Sequence, residues 1–512
     1  MSQIIDAQRA PAMARRIGDA LAQVTLRRAL PLLLVFIAGI VLRHFVLPNW
    51  DVSWLLTVGE KMLAGERFGS DILEVNPPAS PLLYMPAILI ARVLGITPEF
   101  TVDALVFIGI GVSLALCART LANRKLFAID GWALAAITAA VLAVLPAFSF
   151  SQREHIAVIA LLPLLTVLAL RAKGETPHLS DAIIAGLGAG IAVTIKPYFV
   201  GAVVLPALAA ALSIRSWRVV FALEDWIAAG IAVVYAASIF VFFPDFITRV
   251  MPMAGALYFS DRLPLFAALM HPATLVWLAT LVCLAVLKRR AVIEPPFSIL
   301  ICASAGFAIA FVIQGKGWPY HAYPMFALAF IAVGAAYART DQPIASMTAR
   351  RKWLRIAASL ALAVIVAKVG AWFNQSMDTR VLAAAIEKIH PHPRMHQIGD
   401  EIVLSHPLVR QIRGQWVGSV FGQWITSGIL RARERGGIDA AHAAELERYA
   451  AFDRAVLAND IRTRRPDILL IDRRDFDWQA WAYADPAVAA ALAPYRPVET
   501  IEGIVILHRD AG

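Results

Sequence analysis

The residues best suited to chemistry lie just after the first long apolar stretch of the chain. Asp51 stands there in the run Asn-Trp-Asp-Val-Ser-Trp, and Asp71, Glu74 and the triplet Asn76-Pro77-Pro78 follow in the same loop. A carboxylate at the edge of a membrane span is costly to desolvate unless it has a partner or a task. Carboxylates are also common proton carriers in catalysis. This pattern indicates a reaction centre at a membrane surface.

The composition predicts a polytopic α-helical membrane protein. Of 512 residues, 59% are hydrophobic and 16% are charged, whereas about a quarter of the residues of a soluble protein are charged. The net charge of +10 comes largely from Lys and Arg in short loops between apolar runs, where the positive-inside rule places them. We therefore expect membrane lipids, and no nucleic acid, as partners. The three cysteines lie within apolar runs and predict no disulfide framework.

The basic loops predict eleven membrane crossings. The apolar runs are 30–47, 81–95, 101–118, 127–147, 156–170, 182–195, 199–213, 227–243, 265–287, 297–313, 321–338 and 355–373. If every run crossed, the basic loops could not all share the side of the N-terminus. The run 81–95 is interrupted by prolines, so we expect an interfacial segment there. The predicted cytoplasmic loops are then 119–126, 171–181, 214–226, 288–296 and 339–354.

The two ends of the chain are predicted to lie on opposite sides of the membrane. Residues 1–29 carry five arginines and lead into the first span without a small-residue cleavage site, which predicts a cytoplasmic segment and an uncleaved span. Residues 30–373 form the transmembrane domain, with an outer loop at 48–100. Residues 374–512 are predicted to form a small α/β domain outside the membrane, with an amphipathic helix at 439–461 and strands at 467–472 and 501–507.

With this topology, the polar groups at span ends fall on one face. The predicted outer loops are 48–100, 148–155, 196–198, 244–264 and 314–320, together with everything after about residue 374. They contain Asp51, Glu74, Glu154, Lys196, Arg262 and Lys316. Charges scattered by chance would not be expected to collect in this way. The distribution favours a single outward-facing site.

Several motifs resemble the C-type (GT-C) glycosyltransferases, and in particular the protein O-mannosyltransferase and aminoarabinose transferase branch. The resemblance covers residues 25–340 and is carried by Gly59, Gly65, Asp71, Asn76-Pro77-Pro78, Gln152-Arg153-Glu154-His155, Lys196-Pro197-Tyr198 and the run 314–321. It implies a GT-C fold and transfer of a sugar from a polyprenyl phosphate to an envelope glycan, lipid or protein. It also implies a reaction on the outer face of the cytoplasmic membrane, and the positive-inside charge with an Arg- and Ala-rich composition predicts a bacterial inner membrane with this face toward the periplasm.

The resemblance implies roles for two acidic residues. Asp51 takes the place of the family's catalytic general base, although the branch commonly has Asp-Glu where this chain has Asp51-Val52. The alternative for Asp51 is a capping residue for a helix that begins near Ser53. Glu154 is expected to orient the acceptor or the sugar, and its alternative is an ion pair with Arg153 or His155.

The resemblance also implies a set of donor-binding and supporting residues. Lys196 is expected to contact the phosphate or the sugar, or alternatively to extend toward the membrane surface. Lys316 lies in a Gly-Lys-Gly turn whose amides could also bind an anion. The other expected donor-binding residues are Arg262, for which Arg249 is the alternative, Tyr258 and His321. The expected acceptor or loop supports are Glu74, Asn76, Arg153 and His155.

Neither a cofactor nor a metal site is expected. No cluster of His, Cys, Asp and Glu has metal-ligand spacing, and a P-loop and a dinucleotide fingerprint are both absent from the sequence. The resemblance implies metal-independent transfer, although other members of the wider class use a divalent ion. The alternative function is that of a multi-span transporter or flippase for a lipid-linked or anionic solute. Transporters place their polar groups near the bilayer midplane on repeated elements, and no repeat is visible here.

Overall fold

The computed structural model describes residues 27–122, 128–287, 294–295, 297–339 and 348–510. Residues 1–26 of the predicted cytoplasmic segment therefore lie outside the described residues. Parts of three predicted basic loops also lie outside them. Besides short 3-10 and π turns, the membrane part contains sixteen α-helices among the described residues: α1 Arg27–Phe45, α2 Trp50–Leu63, α3 Ala79–Leu82, α4 Met85–Leu94, α5 Pro98–Leu121, α6 Gly131–Ala143, α7 Arg153–Arg171, α8 Leu179–Ile195, α9 Val200–Ser213, α10 Leu223–Phe242, α11 Met251–Met253, α12 Leu265–Leu269, α13 Pro272–Leu287, α14 Phe297–Gln314, α15 Pro319–Tyr337 and α16 Ala349–Phe373.

The chain is a polytopic membrane protein. Seven helices are long and apolar enough to cross a bilayer: α1, α5, α7, α10, α14, α15 and α16. Four shorter apolar helices, α6, α8, α9 and α13, coincide with the other four predicted spans. Helices α7 and α15 form the centre of the bundle, since 83% and 89% of the residues in their 18-residue apolar stretches are buried. The same share is 6% for α1 and for α10. The exact number of crossings stays a prediction.

The described parts of the five predicted cytoplasmic loops lie at one end of the bundle. Ion pairs there join Arg119 to Asp181 and Arg171 to Glu224. A third pair joins Arg339 to Glu294 at 3.0 Å, and Asp130 N donates to Ala338 O at 2.7 Å. The C-terminal domain follows α16 at the other end, which we call the domain end. The bundle therefore has two distinct ends, while the number of crossings and the side that each end faces stay predictions.

The segment predicted to be interfacial consists of two short helices. Pro77-Pro78 precedes α3, and Leu83 and Tyr84 separate α3 from α4. Helix α4 buries Ala87, Ile88 and Ala91 and exposes Leu89, Ile90, Val93 and Leu94. A ten-residue helix with this distribution suits a membrane interface better than a span.

The C-terminal domain contains a five-stranded mixed sheet. Its strands are β1 Arg394–Ile398, β2 Gln415–Trp416, β3 Ile468–Asp472, β4 Tyr495–Ile501 and β5 Ile504–Arg509, in the order β2-β1-β3-β5-β4. Strands β1, β2 and β3 are parallel, and β5 is antiparallel to β3 and β4. Its helices are α17 Arg380–Ile389, α18 Leu408–Gln411, α19 Trp424–Arg435, α20 Ala440–Arg464, α21 Trp478–Tyr483 and α22 Pro486–Leu492.

The predicted helix and first strand of this domain correspond to α20 and β3. The predicted strand at 501–507 is wrong in its bounds, because Ile501 ends β4 and β5 begins at Ile504. Glu502 and Gly503 adopt the positive φ angles of 47° and 82° that reverse the chain between them. Strand β4 could not be predicted from an alternating apolar face, because residues 496–500 are all exposed.

The domain and the membrane part share one hydrophobic cluster. Its members come from the first loop (residues 46–97), from the segment 243–264, and from the domain, and they include Trp54, Phe68, Phe246, Leu257, Trp416 and Trp424. Ion pairs reinforce the contact, since Arg410 binds Glu60 at 2.7 Å and also Glu99. The domain is therefore packed on the bundle and not merely tethered to it.

Gly69 allows the first loop to approach the 243–264 segment. A Cβ atom at Gly69 would lie 2.3 Å from Phe246 N, whereas one at Gly65 would meet nothing within 4 Å. Both glycines have φ near +95°, at 97° for Gly65 and 93° for Gly69.

We expect Gly69→Ala to lower the thermal stability of the detergent-solubilised protein more than Gly65→Ala. Each substitution places a side chain in the left-handed region, at a cost of about 1–2 kcal/mol. Gly69→Ala adds overpacking, which typically costs about 1–3 kcal/mol more. Unfolding followed by tryptophan fluorescence measures the difference. Equal midpoints would contradict the close approach.

Candidate functional site

A cavity of about 600 Å³ opens at the domain end of the bundle. Nine of the eleven predicted site residues line it: Asp51, Glu74, Asn76, Arg153, Lys196, Tyr258, Arg262, Lys316 and His321. Glu154 and His155 lie behind its wall and are fully buried. The C-terminal domain contributes the facing wall with Asp400, Glu401, Ile402, Phe421, Trp424 and Arg431.

Asp51 lies in the first turn of α2. The side chain of Asn49 caps this helix and accepts a hydrogen bond from Asp51 N at 2.9 Å, so the alternative that Asp51 is the capping residue is wrong. Asp51 Oδ2 accepts from Gln152 Nε2 at 3.2 Å and from Arg153 Nη2 at 3.4 Å. Among the described side chains none donates to Oδ1. The carboxylate is thus held by one oxygen while the cavity lies beside it.

Arg153 connects Asp51 to the turn that precedes α3. Its side chain is 2% exposed. Nη1 donates to Asn76 Oδ1 at 2.5 Å and to Ser80 Oγ at 3.0 Å, while Nη2 faces Asp51. A buried guanidinium requires such partners, because an uncompensated buried charge is strongly destabilising. Arg153 therefore fixes the position of Asp51 relative to Asn76.

Glu74 is the second carboxylate of this wall. Its Oε1 accepts from Asn76 N at 2.7 Å and from Asn76 Nδ2 at 2.5 Å, and its Oε2 accepts from the indole N–H of Trp54. Burial raises the pKa of Glu74, and these hydrogen bonds and the charge of Arg153 oppose the rise. Asn76 bonds to both Glu74 and Arg153, which gives a continuous chain of polar side chains from Glu74 to Asp51.

Lys196 points inward from the end of α8. Its Nζ lies 2.5 Å from Glu154 Oε1, 3.1 Å from Gln314 Oε1 and 3.1 Å from His321 Nε2. The alternative that Lys196 extends toward the membrane surface is therefore wrong. The alternative partners proposed for Glu154 are also wrong, since the ion pair is with Lys196. Glu154 thus holds Lys196 and does not line the cavity itself.

A cationic rim surrounds Asp261 on the far side of the cavity. Arg435 Nη1, Arg431 Nε and Lys316 Nζ lie 2.8, 3.1 and 3.4 Å from its carboxylate oxygens. Arg262 follows it in sequence and also lines the cavity. One carboxylate faces three cations, so the rim keeps a net positive charge. Such a surface favours anions.

Lys316 is held in this rim by its turn. Gly315 and Gly317 have positive φ angles of 60° and 68°, which only glycine adopts readily. Lys316 Nζ donates to the carbonyl oxygens of Tyr258 at 2.9 Å and Asp261 at 2.5 Å, and it lies 4.3 Å from the centre of the Tyr258 ring. Burial lowers the pKa of Lys316 to about 8, against the opposing effect of Asp261.

Tyr258 lies between the rim and Asp51. Burial first, and then the charge of Asp51, raise the pKa of its phenol. The hydroxyl is therefore protonated at neutral pH and can donate a hydrogen bond to a ligand.

His155 is placed away from the cavity. Its Nδ1 accepts from Ser151 N at 3.2 Å, and its ring packs against Phe150 and Tyr323 with centroid distances of 4.8 and 5.3 Å. It supports the fold of the turn before α7 and does not line the cavity. Sequence reasoning missed the domain residues of the facing wall, because they come from loops and from helix α19, and no motif in the sequence marks them.

A second cavity of about 690 Å³ lies among α1, α5, α6, α7, α14 and α15. Leu32, Phe36, Leu134 and Leu165 are typical of its almost wholly apolar lining. It carries no ionisable residue except the thiol of Cys117, so it offers little acid–base chemistry. No group of three His, Cys, Asp or Glu residues placed to hold a metal ion occurs in the described ranges.

Comparisons with known proteins point to one fold. No family model matches the chain, and no curated protein does. A crystal structure of ArnT from Cupriavidus metallidurans bound to undecaprenyl phosphate is similar, with 17% identity and a TM-score of 0.54 over 96% of this chain and 99% of that chain. The apo structure of the same ArnT gives 15% identity and a TM-score of 0.53, over 95% and 98% of the two chains. The similarity extends over the C-terminal domain as well as the helices. The chain therefore has the GT-C fold of the integral-membrane glycosyltransferases.

Proposed function

We propose that this protein is a glycosyltransferase that takes a sugar from a polyprenyl-phosphate donor and transfers it to a hydroxyl of an envelope glycan, lipid or protein. We place the reaction on the periplasmic face of a bacterial inner membrane. The observation that carries the proposal is the cavity at the domain end, because Asp51 and residues of the cationic rim line the same cavity. The ArnT fold, seen with bound undecaprenyl phosphate, supports the same donor class.

The proposed reaction assigns a task to each side of the cavity. Asp51 removes the proton of the acceptor hydroxyl as that oxygen bonds to the anomeric carbon of the sugar. The bond between the anomeric carbon and the phosphate oxygen breaks, and the electron pair leaves with the prenyl phosphate. The developing negative charge is stabilised by Lys316, Arg262 and Arg431, whose positions are fixed before reaction. Tyr258 can donate to the same phosphate.

The location of the cavity suits this donor. The prenyl tail cannot leave the hydrocarbon core, so the enzyme must bind the donor phosphate at the membrane surface, where the helices end. The cavity lies at such an end, beside the termini of α7, α14 and α15.

The leaving phosphate can be stabilised by Lys and Arg alone, and we therefore propose transfer without a divalent metal. Transfer in the presence of EDTA should equal transfer with added Mg²⁺.

Asp51→Asn should lower transfer about 10²- to 10⁴-fold, the usual contribution of a general base. Asn keeps the size of the side chain and an oxygen that can accept from Gln152 and Arg153. The assay supplies undecaprenyl-phosphate esters of hexoses, pentoses and amino sugars, with an envelope extract as acceptor. Release of undecaprenyl phosphate is measured by mass spectrometry.

Asp71→Asn is the matched control, because Asp71 lies in the same loop and its Oδ2 accepts from Arg67 N at 2.8 Å outside the cavity. It should transfer at the wild-type rate. Both variants should bind undecaprenyl phosphate as the wild type does. Wild-type transfer by Asp51→Asn would remove the base assignment, and no release from any ester by the wild type would remove the proposed function.

Affinity for undecaprenyl phosphate should fall as pH rises through about 8. The Lys316 ammonium is the form that binds an anion, and burial lowers its pKa to about 8. Above that pH a lone lysine would weaken binding by up to about tenfold for each pH unit. Lys316→Arg should bind with little change between pH 7 and 10, because Arg stays charged. Equal pH profiles for the two proteins, measured as dissociation constants, would contradict the role of Lys316.

A further inference from the structure

The facing wall of the cavity is built from the carboxyl ends of two parallel strands. Asp400 and Glu401 follow β1, while Phe421 lies in the loop after β2 and Trp424 is the first residue of α19, to which that loop leads. In open α/β sheets, ligands bind outside the carboxyl ends of parallel strands. Here that edge of the sheet faces the cavity that contains Asp51.

Two buried glutamines fix the loop that carries this wall. Gln397 Nε2 donates to Phe421 O at 2.8 Å and to Glu401 O at 3.1 Å. Gln423 Oε1 accepts from Gly399 N at 2.8 Å, and Gln423 N donates to Gly399 O at 2.9 Å. Phe421 and Trp424 are therefore held at defined positions relative to Asp400. Preorganisation of this kind is characteristic of a built binding surface.

Trp424 carries a buried donor without a partner. The residue is 5% exposed, it lines the cavity, and its indole Nε1 has no acceptor among the described residues. An unsatisfied buried N–H is destabilising, and Trp N–H groups usually find a partner when buried. This N–H is covered by the surrounding atoms, so a ligand that shifts the neighbouring side chains would supply its acceptor oxygen.

The surrounding groups suit a sugar ring. Phe421 meets Trp54 edge to face at a centroid distance of 6.1 Å, and both rings line the cavity. Ser427 Oγ donates to Asp400 Oδ2 and so orients the carboxylate, while no described side chain donates to Asp400 Oδ1. Aromatic faces cover the apolar face of a sugar, and an oriented carboxylate accepts from its hydroxyls. Trp54 follows Asp51 by three residues on α2, which places this group beside the proposed base.

We propose that the carboxyl edge of the domain sheet forms a sugar-ring subsite of the catalytic cavity, in which Trp424 donates to and Asp400 accepts from the hydroxyls of the ring. The inference rests on the proposed function and names the part of the protein that selects the sugar. Trp424 and Asp400 are specificity-determining residues here and not the base. The sugar that occupies the subsite belongs to the donor or to a glycan acceptor, which share this chemistry.

Trp424→Phe and Asp400→Asn test the subsite, because each removes one hydrogen-bonding capability and keeps most of the side-chain volume. The control is Trp478→Phe, since Trp478 is 2% exposed and belongs to a cluster on the other side of the sheet. Two probes are titrated: undecaprenyl phosphate, and the undecaprenyl-phosphate sugar that the wild type binds most tightly. We expect both test variants to bind the sugar-linked lipid about 3- to 10-fold more weakly, the usual range for one hydrogen bond. Binding of undecaprenyl phosphate itself should be unchanged.

Other outcomes show whether the sugar in the subsite belongs to the donor or to the acceptor, and whether the subsite exists. If donor binding is unchanged but the concentration of glycan acceptor needed for half-maximal transfer rises 3- to 10-fold, the subsite holds the acceptor ring. Equal weakening toward both lipids, or no difference from Trp478→Phe in binding and transfer, would overturn the subsite. Failure of the wild type to bind either lipid would instead overturn the proposed function.

Discussion

The site depends on the burial of one guanidinium, that of Arg153, at the beginning of α7. Its partners come from two separate parts of the first loop, Asp51 on α2 and Asn76 with Ser80 before and within α3. A buried guanidinium without hydrogen-bond partners is strongly destabilising, so these elements can hardly move apart independently. The same contacts set the direction of the Asp51 carboxylate. Catalytic geometry and local stability therefore rest on the same side chain.

A second constraint is the shared hydrophobic cluster between the bundle and the domain. It joins the first loop, the 243–264 segment and the edge of the sheet into one core. As a result, the cavity is closed on one side by helix ends and on the other by strand ends. The charge also differs across the cavity, since the side of Asp51 and Glu74 carries two carboxylates and the guanidinium of Arg153, whereas the rim around Asp261 carries an excess of cations. A neutral sugar between a phosphate and a hydroxyl acceptor fits that polarity.

The sequence was informative where one physical rule decides the outcome. Hydropathy and basic loops predicted the helical bundle, and motif order predicted the GT-C fold. Loop assignment also predicted that Asp51, Lys196 and Lys316 would meet, because span ends on one side of a bilayer are forced together. It could not predict that Glu154 pairs with Lys196, since that requires the packing of α7 against α8. Trp424 and Asp400 were equally out of reach, because only the parallel register of β1 and β2 brings them to one edge.

The central claim is that the cavity holds a polyprenyl phosphate. The most direct measurement is mass spectrometry of the lipids released from protein purified in mild detergent, before and after incubation with undecaprenyl phosphate. The account predicts a prenyl phosphate retained in near-stoichiometric amount, and competition by sugar-linked prenyl phosphate but not by the uncharged prenol. Recovery of bulk phospholipids alone, even after incubation, would contradict it.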